Sequence, residues 1–136
     1  MASGKFVDEA NAVLDEWFGN VPATIPATWY MALFSVVPNK NGGGTEITDQ
    51  PGYPRIAIDN NTDIWPVAVN GRKQNAEQVD HTQAPSDLGQ CVAAALVNTE
   101  TGPYTFGVFG HLKTPVTIRN GQTRFWPVGS ITLIEA

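Results

Sequence analysis

The sequence has a single cysteine, few charged residues and no long apolar run. Cys91 has no second cysteine to pair with, so the fold must hold without an intrachain disulfide. Only 15% of the 136 residues are charged, against 42% that are apolar, a low charge for a globular protein and one common where much of the surface meets other protein. No apolar run approaches the roughly 18 residues of a membrane helix, and we expect no membrane partner.

Basic residues are also few and scattered. The formal net charge is −5, and among the eight Lys and Arg only Arg72 and Lys73 are adjacent. A nucleic-acid-binding surface needs clustered cations that neutralise phosphates, so we expect no nucleic-acid partner. The first residues, MASGKFVDEA, lack a basic segment followed by an apolar one. We therefore expect no signal peptide and synthesis in a reducing cytoplasm.

A chain of this length is expected to form one domain over 1–136, with a helical segment in 1–20 and a β-sandwich over 27–136. From Lys5 to Phe18 the apolar residues recur with helical spacing, at Phe6, Ala10, Val13, Leu14 and Trp17. Ser3 could cap the start of this helix and Gly19-Asn20 its end. We expect the apolar stripe to dock on the rest of the domain, because an isolated helix of this length is marginal in water.

Short apolar runs bounded by Gly, Pro or Asn follow Pro26, at 28–36, 53–59, 64–69, 90–98, 104–112, 116–120, 123–128 and 130–136. This spacing predicts a mainly β fold, an antiparallel β-sandwich or barrel-like domain with one N-terminal α-helix. Pro66 suggests a sheet edge or a bulge for its run. Asn120-Gly121 predicts a type I′ hairpin. The run VAAALV would also suit a helix on propensity alone.

The run NKNGGGTEI raises the question of a phosphate-binding loop. Such a loop needs Lys directly after its last Gly and a helix after that. Here Lys40 precedes the three glycines, turn-rich sequence follows them, and the dinucleotide pattern G-x-G-x-x-G is not completed. We therefore predict a flexible connection between two strands, and no cofactor.

Calcium binding is the next candidate, at Asp59, Asn61 and Asp63. These match the first alternating ligands of an EF-hand loop, but Ile64 stands where that loop needs Gly and Asn70 where it needs Glu. Asx-rich residues between strands are typical of turns. We predict a turn and no dedicated metal site, with weak binding of a surface cation as the alternative.

Nucleophilic catalysis has little support either, and no catalytic residue is predicted. Cys91 with His81 or His111 is the one conceivable thiol pair, but a Cys in an Ala-Val run is typical of core packing and inert when buried. Two His with one Cys are too few for a zinc site. We expect no enzyme; the alternative is a small hydrolase using Asp59 and Asp63.

Most of the aromatic residues are expected to fill the core. Trp65, beside Pro66 and an Asx-rich turn, is the aromatic residue that we expect to be exposed. A host glycan could stack on it beside neighbouring Asn side chains. The residues predicted for contact with a partner or a glycan are Trp65, Asn60, Asn61, Lys40 and Asn41. More broadly, we expect the contact in loop 39–52 or loop 70–88, where most polar irregular chain lies.

Read end to end, the order of segments resembles a family of small bacteriophage virion proteins of the tail-fibre, tail-associated or capsid-decoration type. The resemblance consists of a D-x-x-F-G element ending the helix, a P-x-T-x-Y-x-A-L-F-[ST] strand, G-T-E, G-Y-x-R, a G-x-F strand and a late x-N-G-x-T-x-x-F-x-x-G-x-I-T-L segment. In this sequence they are Asp15 to Gly19, Pro26 to Ser35, Gly44 to Glu46, Gly52 to Arg55, Gly107 to Phe109, and Arg119 to Leu133. The region 70–88 departs from the family in being more charged.

The resemblance implies a non-enzymatic structural protein on the exterior of the virion, assembled in the host cytoplasm. We expect a capsid decoration or cement protein that stabilises the shell. The alternative is a tail-fibre or tail-tip component, with glycan binding as a further option. The implied partners are other copies of the chain, in a trimer, and virion proteins such as the major capsid protein or tail proteins.

Overall fold

The computed structural model describes residues 4–134. In that range the chain forms one helix, α1 (Val7–Gly19), and ten strands. The strands are β1 (Gly4–Lys5), β2 (Thr28–Val36), β3 (Thr45–Glu46), β4 (Ile56–Asp59), β5 (Arg72–Gln74), β6 (Val79–Gln83), β7 (Gly89–Val97), β8 (Gly107–Ile118), β9 (Thr123–Trp126) and β10 (Thr132–Ile134). The prediction of a mainly β, barrel-like fold with one N-terminal helix is confirmed.

One antiparallel sheet organises the molecule. Its strand order is β1-β8-β7-β2-β3, with β4 also paired to β2, and it curls into a half-barrel. The pairs β5–β10 and β6–β9 form two small additional sheets. The register shifts between Cys91 and Ala93 on β7 and between Phe34 and Val36 on β2. Irregularities of this kind bend strands and increase their twist, which suits a curled sheet.

Both faces of the central strands are buried. Met31 and Leu33 pack on one face with the larger core, whose other members include Tyr53, Ile58, Trp65, Leu96 and Ile118. Ala32 and Phe34 point to the opposite face, as alternation along a strand requires. That second core contains Phe6, Ala93, Ala95, Val97 and Phe109. Burial on both faces explains the nearly continuous apolar runs of β2 and β7.

Several predicted strands are confirmed and others change. The run 28–36 forms β2 with the predicted bounds, and VAAALV lies in strand β7. The runs 104–112 and 116–120 belong to one strand, β8. The run 64–69 is not a strand. Its start is held in a turn, in which the backbone amide of Trp65 donates to the carbonyl of Asn61 at 2.9 Å.

The hairpin predicted at Asn120-Gly121 is a turn, but the strands that it joins separate. The Gln122 amide donates to the Arg119 carbonyl at 3.1 Å, while β9 pairs with β6. Gly121 has a φ of 83°, and Asn120 is absent from the residues with positive φ. A type I′ turn needs positive φ at both positions, whereas positive φ at the second alone fits type II, which splays strands apart.

The GGGTE connection is confirmed as a link between strands. It joins β2 to β3, which pair antiparallel, and Asn39 and Gly42 exchange backbone hydrogen bonds across it. A Cβ atom on Gly44 would lie 2.5 Å from the carbonyl oxygen of Val36, and the φ of Gly44 is 72°. Close approach and positive φ therefore require glycine here without any phosphate.

Two motifs of the family resemblance meet in a buried ion pair. From the G-Y-x-R motif, Arg55 donates through Nε to Glu46 Oε2 at 2.9 Å and through Nη2 to Glu46 Oε1 at 2.8 Å. Glu46 is the last residue of G-T-E. The remaining guanidinium hydrogens reach the carbonyl and hydroxyl of Thr99 and the carbonyl of Gly102. All five donors of the guanidinium are therefore engaged, and both motifs serve the fold.

His81 is a buried histidine beside the larger core. It is 3% exposed, its ring stacks on Tyr53 with centroids 6.0 Å apart, and Nε2 accepts a hydrogen bond from Trp126 Nε1 at 3.0 Å. A nitrogen that accepts is unprotonated, so this bond requires neutral imidazole. Burial lowers the pKa of His81 from 6.5 to about 4.

The folded chain is therefore expected to lose stability in mild acid. As pH falls below 6.5, His81 becomes protonated in the unfolded state, whereas in the folded state it stays neutral until about pH 4. The free energy of unfolding therefore decreases as pH falls through this range. At about 1.4 kcal/mol per pH unit the loss approaches about 3 kcal/mol by pH 4. Urea unfolding of wild type and His81→Gln at pH 7, 5.5 and 4 measures it, since glutamine can accept from Trp126 without titrating.

The matched control for the acid-stability prediction is His111→Gln, which removes the other histidine. We expect the pH dependence of unfolding to flatten for His81→Gln and to stay at the wild-type slope for His111→Gln. Equal slopes for wild type and His81→Gln between pH 6.5 and 4 would contradict the assignment.

Candidate assembly surface

The start of α1 is anchored to the sheet. Phe6 occupies the N-cap position and is buried, with ring centroids 4.9 Å from Tyr104 and 5.0 Å from Phe109. The Phe6 amide donates to the Gly107 carbonyl, and the Val7 amide donates to the carbonyl of Lys40. Ser3, predicted as the cap, lies outside the described residues.

The second half of α1 is exposed. Ala10 and Val13 are half-buried, but Leu14 is 57%, Trp17 76% and Phe18 86% exposed. Asn20, in left-handed conformation, ends the helix with its amide on the Asp15 carbonyl. The expected docking of the apolar stripe therefore holds only for its first half. We call Leu14, Trp17 and Phe18 the helix end.

The helix end exposes enough apolar area to form part of a protein–protein contact. Aromatic side chains of this kind bury roughly 150–250 Å² each, and contiguous exposed apolar residues mark contact sites more often than scattered ones do. The acidic residues of α1 are Asp8, Glu9, Asp15 and Glu16, and Val7–Gly19 contains no Lys or Arg. The exposed apolar side chains therefore belong to a helix whose charged residues are all acidic.

A groove of about 780 Å³ opens beside the start of the helix. One wall comes from α1, at Glu9 and Val13. The floor is the larger-core face of the half-barrel, including Leu96, Val108 and Leu112, and the far wall is the β5–β10 pair. Its apolar side chains come from strands at both ends of the sequence, so folding is needed to assemble it.

The rim of the groove is basic. Lys5, Arg72, Lys73 and Lys113 line it, and Glu9 is the one acidic residue among the described lining residues. The Lys73 ammonium is held in place by the carbonyls of Trp65 and Pro66, at 3.3 and 3.2 Å. Burial raises the pKa of Glu9, and nearby Lys5 opposes that shift.

The prediction that Trp65 is exposed is wrong. The Asx turn that begins at Asn61 brings its ring back into the larger core, where it is 4% exposed. Asn61 Oδ1 accepts from the amides of Asp63 and Ile64 at 3.0 and 3.1 Å. Local turn residues suggested a surface position, but this turn directs the next side chain inward. A stacking platform for sugars cannot use this ring in the folded chain.

The other four predicted contact residues form two separate groups. Asn60 lies beyond the Thr28–Asp59 end of the β2–β4 pair, and its side-chain amide donates to the Pro26 carbonyl. Lys40 and Asn41 are exposed in the connection that leaves the other end of β2. A nine-residue strand separates its ends by about 26 Å, at about 3.3 Å per residue. The structure therefore does not bring the two groups together.

The thiol and metal candidates are accounted for structurally. Cys91 is buried, and burial raises the pKa of its thiol, which disfavours the nucleophilic thiolate. Residues 4–134 contain no group of three or more His, Cys, Asp or Glu placed to hold a metal ion. Asn61, one of the proposed calcium ligands, uses its side-chain oxygen to cap the turn. Loop 70–88 contains strands β5 and β6 and so is less irregular than expected.

Comparison with known protein families identifies the family of this chain. Residues 8–134 match the family model described as podophage GP4 fiber I protein gp80. The chain belongs to this family. It is therefore a component of the phage virion and a structural protein, as the resemblance implied. A comparison with curated proteins found no match. No helix within residues 4–134 is long and apolar enough to cross a membrane.

Sequence reasoning missed the groove of this fibre-family protein. The adjacent Arg72 and Lys73 were the one sequence feature that pointed to a basic surface, and two residues alone do not form a charge cluster. Lys113 reaches the same rim from β8, and Lys5 from β1. Only the fold reveals that scattered basic residues share a surface.

Proposed function

We propose that this chain is a non-enzymatic fibre component on the exterior of the phage particle, working as a homo-oligomer. The observation that carries the proposal is the match of residues 8–134 to a fibre-protein family. That match favours a fibre over the capsid decoration preferred from sequence, since the family description names a fibre protein. Its expected partners are further copies of the chain, in a trimer, and tail proteins.

The buried chemistry supports a structural role. His81 and Cys91, which a thiol mechanism would need at a surface, are both in the core. The Glu46–Arg55 ion pair and the glycine-dependent β2–β3 connection explain the G-T-E and G-Y-x-R motifs of the sequence without a substrate. The exposed helix end offers a contact for a protein neighbour.

Antibody labelling of intact particles tests the location. Electron microscopy of particles treated with an antibody to this chain is expected to show label at the tail or on fibres. Label spread evenly over the head would replace the fibre proposal with capsid decoration. Particles without label, when a tail-protein antibody marks them, would contradict an exterior position.

A further inference from the structure

We propose that the helix end of one copy docks into the basic groove of a second copy of this chain. The helix end lies outside the groove lining of its own copy, and the two surfaces are complementary in polarity and charge. The inference concerns self-association of the purified chain, so it can fail or succeed independently of where the protein sits on the particle.

The helix end is an apolar surface that residues 4–134 of its own chain leave largely exposed. Leu14, Trp17 and Phe18 lie just past Val13, which already lines the groove of the same copy. Leu14, Trp17 and Phe18 are outside the lining of that groove and largely exposed. Phe18 also departs from helical geometry at the end of α1, with φ −121° and ψ 20°. The described part of their own copy therefore leaves these three side chains largely uncovered.

The groove suits such an occupant. Its volume of about 780 Å³ and its floor of Leu96, Val108 and Leu112 fit a few large apolar side chains. Trp and other aromatic residues dominate the energetics of protein interfaces when they enter pockets of this kind. Two aromatic side chains with Leu14 account for roughly half of the about 800 Å² per partner of a standard interface.

Charge identifies a second copy as the occupant. Asp15 and Glu16 flank the helix end, and α1 contains no Lys or Arg, whereas the groove is lined by Arg72, Lys73 and Lys113, with Glu9 as the one acidic residue among its described lining. Opposite charges around an apolar centre favour this pairing and fix its orientation. The same chain thus supplies both an acidic helix that ends in apolar side chains and a groove with an apolar floor and basic residues along its rim.

The contact joins two different surfaces of the chain, so each copy can bind one neighbour through its helix end and another through its groove. A finite oligomer forms only where this series of contacts returns to the first copy. Two copies can exchange helix ends, or three can pass them round a ring, and either arrangement leaves no surface unfilled. A closed oligomer is expected, with every copy giving one helix end and accepting one.

Sedimentation velocity of the full chain over a range of concentrations, up to about 100 μM, tests the association. Wild type is expected to form a dimer or trimer. The variant Trp17→Ser/Phe18→Ser is expected to associate at least about 100-fold more weakly, because both aromatic anchors are lost. The control Phe125→Ser removes an exposed aromatic residue outside the groove lining and is expected to leave association unchanged.

Charge reversal distinguishes this contact from any other apolar association. Asp15→Lys/Glu16→Lys on the helix and Arg72→Glu/Lys113→Glu on the rim are each expected to weaken association about tenfold or more. The chain that carries all four changes is expected to recover. Circular dichroism checks folding, and these positions tolerate change because they are at the surface.

Three results would overturn the docking proposal. A wild-type chain that stays monomeric throughout is one of them. An oligomer whose dissociation constant does not move in Trp17→Ser/Phe18→Ser is another, because the contact then lies elsewhere. A fourfold charge variant no better than the two reversals would show that helix and rim do not meet.

Discussion

Arg55→Met is expected to destabilise the folded chain by about 3–5 kcal/mol, the range for breaking a buried ion pair on one side. The side chain of Arg55 is 2% exposed and makes two hydrogen bonds to Glu46. Its loss leaves the largely buried carboxylate of Glu46 with a hydrogen bond from the hydroxyl of Thr48 but without its cation. It also frees the carbonyls of Thr99 and Gly102. Urea unfolding measures the free energy, with the midpoint falling and the m-value unchanged.

Arg119→Met is the matched control for the buried ion pair, because it removes an exposed arginine. Surface changes of this kind stay within about 0.5 kcal/mol. The double variant Arg55→Met/Glu46→Met is expected to lose less than the sum of its single changes, because no unpaired charge is left buried. Additive losses, or an Arg55→Met chain as stable as Arg119→Met, would refute the account.

The ion pair also shows what sequence could and could not predict. The motifs G-T-E and G-Y-x-R stood out as a resemblance, but nothing in their spacing says that Glu46 and Arg55 meet. They do so because β3 returns along β2 while the chain at Arg55 leads into β4, which also pairs with β2. Periodicity predicts such strands one at a time; their partners depend on long-range pairing.

Strand β8 illustrates the same limit. Pro115 divided it into two predicted runs, since proline cannot donate a ladder bond. In the fold Cys91 pairs with Val116 and Ala93 with His111, so residues 112–115 face a single residue of β7. Proline is tolerated in such an irregularity, and the strand continues through it. The bulge is a property of the pair, which one strand's sequence does not reveal.

The candidate site was the least predictable part. The helix was predicted from its apolar period, and its stop at Gly19-Asn20 agrees with the structure. Its start does not, because Lys5 lies in β1 and the helix begins at Val7. The same period predicted burial of the whole stripe, whereas intrachain packing ends at Val13. An apolar stripe shows that a cover is needed, but not whether the cover belongs to the same chain. The sequence pattern of a helix that packs in its own core is therefore the same as that of a helix that packs against another chain.

The second large effect is expected at Gly107, where the sheet meets the start of the helix. A Cβ atom there would lie 2.0 Å from the carbonyl oxygen of Leu96 and 3.2 Å from the Cα atom of Val97. Both belong to β7, which pairs with Gly107 itself, so relief requires one strand to move. The φ of 150° adds strain for any residue with a side chain. Gly107→Ala should therefore cost about 3 kcal/mol or more.

Gly89→Ala separates strain from collision. Gly89 also begins a strand and has a φ of 85°, but a Cβ atom there meets nothing within 4 Å, so we expect a loss of about 1–2 kcal/mol from conformation alone. Gly107 also accepts the amide of Phe6 at 3.0 Å, and hydrogen exchange of that amide should accelerate in Gly107→Ala only. Equal losses of stability in the two variants would mean that β7 and β8 can move apart at little cost in free energy. The attachment of α1 to the sheet would then be weaker than the packing of Phe6 against Phe109 and Tyr104 implies.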